Sequence, residues 1–98
     1  MTPDATIGRE QSGRRPAVVV AGQRYLQIID TMALIVPVTS TDRGWPNHIP
    51  IADLPGPSWA MTEQVRAVSR SRLHGHLGQM DDDALEHVRH WLRKFLDL

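Results

Sequence analysis

The sequence predicts a small, mainly β domain closed by one C-terminal α-helix. Short apolar runs of strand length recur along the chain, separated by clusters of Gly, Pro and Asn that punctuate them as turns. A helical period of apolar residues occurs once, in the last stretch, residues 81–98. The chain has 98 residues, 41% of them hydrophobic, which suits a single domain (1–98) with a modest core. Short strands followed by one helix are the pattern of a curled antiparallel sheet or small barrel with the helix packed on it.

Taken in order, residues 1–7 are polar and poorly patterned, and residues 8–16 read as a loop. Residues 17–22 read as a strand whose unbroken apolar character implies burial on both faces. Residues 23–30 are a mixed connection. Residues 31–41 read as a long second strand, in which Pro37 is tolerable only at an edge or a bulge. Asp42-Arg43-Gly44-Trp45-Pro46-Asn47 is a loop, and residues 48–53 alternate as a strand with Ile49 and Ile51 on one face. Residues 54–57, with two prolines and a glycine, are a turn. Residues 58–68 give one or two further short strands, residues 69–73 a helical turn, and residues 74–80 a last strand. Asp81 is a good N-cap for the final helix, and Asp82 and Asp83 favour its first turn. Leu85, Val88, Trp91, Leu92, Phe95 and Leu96 form its apolar stripe.

Eleven basic residues balance eleven acidic ones, which argues against an indiscriminate nucleic-acid coat and leaves room for a local basic groove. Ten of the eleven are arginine, whose planar fork suits phosphate and base edges. The absence of cysteine excludes disulfides, thiolate catalysis and Cys-ligated zinc. The longest apolar stretch, residues 32–38, is far below the roughly 20 residues that span a bilayer. No membrane partner and a cytoplasmic location are therefore expected.

Two segments carry chemistry. In Gly8-Arg9-Glu10-Gln11-Ser12-Gly13-Arg14-Arg15-Pro16, a glycine- and serine-containing loop ends in adjacent guanidiniums beside the β-branched run that follows. Fixed positive charge at a rigid strand suits a polyanion, most simply a phosphate ester. In Leu34-Ile35-Val36-Pro37-Val38-Thr39-Ser40-Thr41, an apolar run ends in three hydroxyls.

Together these segments resemble the MazF/PemK family of toxin endoribonucleases, in which a G-x-E-Q-x-G-x-R-P loop faces a V-P-x-T-[ST] strand end. The resemblance extends to Ser58-Trp59-Ala60-Met61-Thr62-Glu63-Gln64-Val65-Arg66-Ala67-Val68. It implies an SH3-like small barrel of the CcdB/PemK type that dimerises, and a sequence-specific, metal-independent cleavage of single-stranded RNA restrained by a cognate antitoxin. The family's usual preceding strand, of R-G-D-[IV]-W type, has no counterpart before Met1, so the expectation is either a start assigned too late or a member that has lost that edge strand.

Metal-free cleavage needs the ribose 2′-OH to attack the adjacent phosphate while the site removes a proton and stabilises the crowded phosphorane. Arg15 matches the family's catalytic arginine and offers paired donors to phosphate oxygens. Thr39 matches its strand-end threonine, with Ser40 a second donor, and Glu10 matches the loop glutamate as base or as orienter of Arg15. Glu63 sits where some members carry a functional acidic residue; an ion pair with Arg66 is its ordinary alternative. Gln11, Ser12, Arg14, Arg43 and Gln64 are the remaining candidates for RNA contact, and Trp45, between Gly44 and Pro46, for stacking on an unpaired base. Trp59 and Trp91 are expected in the core. His74 with His76, and His87 with His90, lack a third ligand, so neither a metal nor another cofactor is expected. His48 reads as an ordinary strand-start histidine.

Two other readings compete: a non-catalytic poison on the same fold, of the gyrase-binding type, and a degenerate domain that only binds RNA or antitoxin. The gyrase-binding type ends in W-G-I, whereas this chain ends Trp91-Leu92-Arg93-Lys94-Phe95-Leu96-Asp97-Leu98. Two strands apolar on both faces and one apolar helix stripe leave surface for a second copy, so a homodimer is expected.

Overall fold

The structure is a computed structural model that describes residues 6–10 and 15–98. Seven strands form one antiparallel sheet: β1 (Thr6–Glu10), β2 (Pro16–Val19), β3 (Met32–Thr39), β4 (His48–Pro50), β5 (Trp59–Met61), β6 (Arg66–Ser69) and β7 (Leu73–Gln79). Helix α1 (Gln23–Ile28) follows β2, and α2 (Asp82–Leu96) closes the described chain. Single 3-10 turns, Thr62–Gln64 and Arg70–Arg72, flank β6. The spatial order is β4-β5-β3-β2-β1-β7, with β6 also paired to β3.

The eight-residue β3 is the axis of the sheet. On one side it pairs with β2, through Ala17↔Pro37, Val18↔Val36 and Val19↔Ile35. On the other, its first half pairs with β6 as far as Ile35↔Arg66, and its end pairs with β5 from Val38↔Ala60 onward. This corrects the expectation for Pro37, which sits in a central strand. The Leu34 carbonyl accepts from the Val20 amide at 2.9 Å, so even-numbered residues of β3 point their backbone groups toward β2. The nitrogen of Pro37 therefore faces the other side, between the last β6 pair, Ile35↔Arg66, and the first β5 pair, Val38↔Ala60, so its missing N–H falls at the switch from one partner strand to the next.

The sheet begins earlier than the sequence pattern suggests. Residues 6–10 form β1 between β2 and β7, although only Ile7 and Gly8 there are buried. Pairing on both edges supplies what side-chain pattern does not. Its register with β7 slips between Ile7↔Gly78 and Arg9↔His74. In that slip lies Gly75, at φ +70°, whose carbonyl would stand 3.3 Å from a Cβ on Gly8. Strand β2 is shorter than expected, because the Val20 and Ala21 amides both converge on Leu34 O as the chain leaves the sheet. Residues 23–28, expected as an irregular connection, form α1. Arg70 closes it, donating from Nη2 to Ile29 O at 2.6 Å and from Nε to Met32 O at 2.8 Å.

The main core lies between one face of the sheet (Ile7, Val18, Val36, Val38, Ile49, Ala60) and the inner face of α2 (Ala84, Leu85, Val88). Ala17, Ile35 and Val68 form a smaller cluster elsewhere on the sheet. Asp81 caps α2 as expected, its Oδ1 accepting from the Ala84 amide at 2.8 Å. Leu85 and Val88 are buried, but Phe95 and Leu96 are 48% and 59% exposed. The apolar stripe thus runs past the sheet in its last turn. Among the described residues no helix is long and apolar enough to cross a membrane.

Candidate active site

Register places the site. The β2–β3 pairing, continued past Ala17↔Pro37, sets Arg15 opposite Thr39. The β1–β2 pairing, continued past Arg9↔Pro16, sets Glu10 opposite Arg15, and the Glu10 amide donates to Arg15 O at 3.1 Å. On the far side Thr39 pairs with Trp59. Glu10, Arg15 and Thr39, distant in sequence, therefore share one cross-strand row at the end of the sheet. One step further out the β3–β5 register sets Ser40 beside Ser58.

Beyond that row opens a groove of about 530 Å³, lined by Arg15, Pro16, the strand end Val38 to Thr41, Arg43, and the loop Pro55-Gly56-Pro57-Ser58. Among the described residues the lining carries two arginines and no carboxylate. Arg15 and Arg43 are exposed, and among the described residues neither pairs with an acid. Thr39 Oγ1 accepts from the Thr41 amide at 3.1 Å, which fixes the strand-end turn and leaves the hydroxyl proton free to donate. Charge and donors with no competing acceptor make a cradle for an anion.

The other nominated residues divide. Glu10 is spent on an ion pair with Arg66 and does not line the groove. Arg66 thus pairs with Glu10, and the alternative Glu63–Arg66 pair does not form. The Glu63 carboxylate instead takes Asn47 Nδ2 at 2.9 Å on Oε1, and His48 Nε2 at 2.9 Å on Oε1 and 3.1 Å on Oε2. Burial pushes the Glu63 pKa up, but the hydrogen bond from His48, one from its own amide and the attraction of His48 outweigh it. The carboxyl sits below its ordinary value of 4.5. Gln64 turns its amide to Met61 Sδ at 3.6 Å, away from the groove. Trp45 is 46% exposed, with the Arg43 guanidinium 5.9 Å from its ring centroid and the His48 ring 4.8 Å away on a 44° tilt. Gln11, Ser12 and Arg14 lie outside the described residues. Trp59 and Trp91 are half-buried, and Trp91 packs against the main core. Among the described residues no three of the His, Asp or Glu side chains converge as a metal site would need.

Of the groove wall from Pro55 to Ser58, residues 55–57 read from sequence only as part of the 54–57 turn, and Ser58 as the start of the strand segment after it. Its place follows from β5 pairing with the end of β3, a long-range register that no local signal encodes.

Residues 1–96 match the family described as "PemK-like, MazF-like toxin of type II toxin-antitoxin system". The chain belongs to the PemK/MazF toxin family. It is 33% identical over 66 residues to the endoribonuclease toxin MazF of Escherichia coli K12, a stretch covering 67% of this chain and 59% of that protein. Among solved structures, MazF in a MazE–MazF crystal structure from Deinococcus radiodurans superposes with a TM-score of 0.83 at 28% identity, covering 100% of this chain and 99% of that one. A MazF toxin of Mycobacterium tuberculosis, 18% identical, shares the fold with a TM-score of 0.80 over 95% of this chain and 97% of its own. The architecture is thus the CcdB/PemK-type fold of MazF toxins, an antiparallel sheet with a C-terminal helix. In this family member the two motifs separated in sequence meet across one row of the sheet.

Proposed function

We propose that this chain is a sequence-specific, metal-independent endoribonuclease toxin of the cytoplasm, cleaving single-stranded RNA and held in check by a cognate antitoxin. The observation that carries this reading is the groove, with two arginines and a strand-end hydroxyl converging and no carboxylate among its described lining residues. An RNA phosphate enters with its non-bridging oxygens against the Arg15 guanidinium, and Thr39 and Ser40 donate to it as negative charge builds. The 2′-oxygen loses its proton as it forms a bond to phosphorus, the bond to the 5′-oxygen breaks, and that oxygen takes up a proton from solvent in the open groove, leaving a 2′,3′-cyclic phosphate and a 5′-hydroxyl. Glu10, opposite Arg15 in the same row but paired with Arg66 outside the groove, acts as an orienter of Arg15 and not as the base for the 2′-OH proton. Arg43 holds a neighbouring phosphate, and Trp45, whose ring lies under that guanidinium, serves Arg43 and not an unpaired base.

Family kinship adds the partner. The Deinococcus relative crystallises as MazE–MazF. An extended antitoxin segment rich in acidic and apolar residues would compete with RNA for the arginines. The exposed Phe95 and Leu96 favour a homodimer, since a second copy would remove them from water. Sedimentation showing a monomer at micromolar concentration contradicts the dimer.

The deciding experiment incubates the purified protein with a long single-stranded RNA in EDTA. Discrete fragments with cyclic-phosphate and 5′-hydroxyl ends are expected. Cleavage that stops on chelation and returns with Mg²⁺ overturns the mechanism, and RNA binding without fragments overturns the activity.

A further inference from the structure

The loop between β3 and β4 has two ends with different fates. Every residue from Ser40 to Pro46 is exposed, so this stretch has no buried apolar anchor of its own. Its groove-facing half carries Arg43. Its other half ends in Asn47 and His48, which are buried against the Thr62–Gln64 turn. There Thr62 Oγ1 donates to Asn47 O at 2.8 Å, and the Glu63 carboxylate ties down both Asn47 and His48. Among the described residues His48 Nδ1 is buried without a partner and Glu63 is the one polar tether of that ring. The ring in turn backs Trp45, and Trp45 carries the Arg43 guanidinium.

We infer that the Glu63–His48–Trp45 stack is a brace that aims Arg43 into the groove, making Glu63 a positioning residue rather than an acid–base catalyst. This rests on the reading of the groove as an RNA site. An unrestrained arginine must lose its rotamer freedom when it meets a phosphate, whereas one already resting on an aromatic face has lost part of it beforehand. Both Glu63 oxygens are occupied by the corner, and Glu63 does not line the groove. Its effect on RNA must therefore pass through Arg43.

The test is a set of double-mutant cycles read in two assays: kcat and KM on a fluorescent single-stranded RNA, and equilibrium affinity for its all-2′-deoxy analogue, which cannot be cleaved. Glu63→Ala and Trp45→Leu are each expected to weaken analogue binding and raise KM by about tenfold, with kcat within about threefold. In an Arg43→Ala background neither should add more than about twofold, because the residue they position is gone. Glu63→Gln, whose amide oxygen still accepts from Asn47 and His48, should recover most of the affinity. Trp45→Leu replaces a surface residue, so it carries the cycle should Glu63→Ala fail to fold. Losses that add fully to those of Arg43→Ala overturn the brace. So does a Glu63→Gln enzyme with kcat down about a hundredfold and KM unchanged, the signature of a lost transition-state contact. Absence of RNA cleavage by the unmodified protein would refute the proposed activity, while the analogue-binding cycle would still decide the brace.

Discussion

The groove at the strand ends and the corner behind the Trp45 loop are built from similar residues and use them in opposite ways. Each holds a threonine near the end of a strand. Thr39 is half-buried at an opening, with its hydroxyl proton uncommitted; Thr62 is fully buried, with its hydroxyl donating to Asn47 O and accepting from Asn47 Nδ2 at 3.3 Å. Each has charged groups as well. The groove arginines face open space, while the Glu63 carboxylate is engaged by two neighbours. Polar groups left unsatisfied at a surface are available to a ligand, and those satisfied internally hold the fold in place. Substitutions in the two regions should accordingly separate activity from stability.

The largest expected effect is at Arg15. Arg15→Ala should remove cleavage, by about a thousandfold or more in kcat, if this guanidinium stabilises the transition state. The urea midpoint should move by no more than about 0.5 kcal/mol equivalent, as for other exposed positions. Arg15→Lys should restore little, since a point charge cannot reproduce two parallel donors; near-normal activity in that variant would sink the bidentate role.

The same replacement made in both threonines sharpens the contrast. Thr39→Val keeps the strand propensity and removes one donor, so cleavage should slow by about a hundredfold, or ~2.7 kcal/mol, with folding unaffected. Thr62→Val should do the reverse. It leaves the Asn47 carbonyl buried and unpaired, at a cost of about 1–3 kcal/mol in a denaturant titration, with kcat retained. A Thr62 variant that loses kcat, or a Thr39 variant that loses stability, breaks the division between the regions.

The smallest effect is the pH response of the corner. The folded-state pKa of Glu63 lies below its ordinary 4.5, so ionised Glu63 stabilises the fold. That contribution is complete above the unfolded-state value and is lost as pH falls from there through the depressed folded value. Melting curves of the wild type should therefore drop more steeply below pH 4.5 than those of Glu63→Gln. Parallel acid limbs in the two proteins would show that the hydrogen bonds to His48 and Asn47 do not favour the ionised form.

Much of this was legible in the sequence. The cap at Asp81, the stripe through Leu85 and Val88, and the strands around Val36 and Ile49 are local patterns, since period and capping depend on residues a few positions apart. The loop arginine and the strand-end hydroxyls were identifiable by residue type and motif. Strand β1 was not, because Thr6–Glu10 has no apolar alternation and is held as a strand by neighbours on both sides. Nor was α1, whose end is closed by Arg70 from far along the chain.

What only the tertiary structure decided is who meets whom. The sequence supplied Glu10, Arg15 and Thr39 as separate candidates, but antiparallel register put them in one row, because pairing fixes every residue of a strand once a single pair is set. It also turned residues 55–57 of an unremarkable turn, with Ser58 after them, into a wall of the groove. Register likewise cannot be read for side chains with several possible partners. Glu10 and Glu63 were both candidates for the chemistry, and only the packed molecule sends Arg66 to one and His48 to the other. Local chemistry determined which groups this protein carries; long-range pairing determined which of them remain free to act.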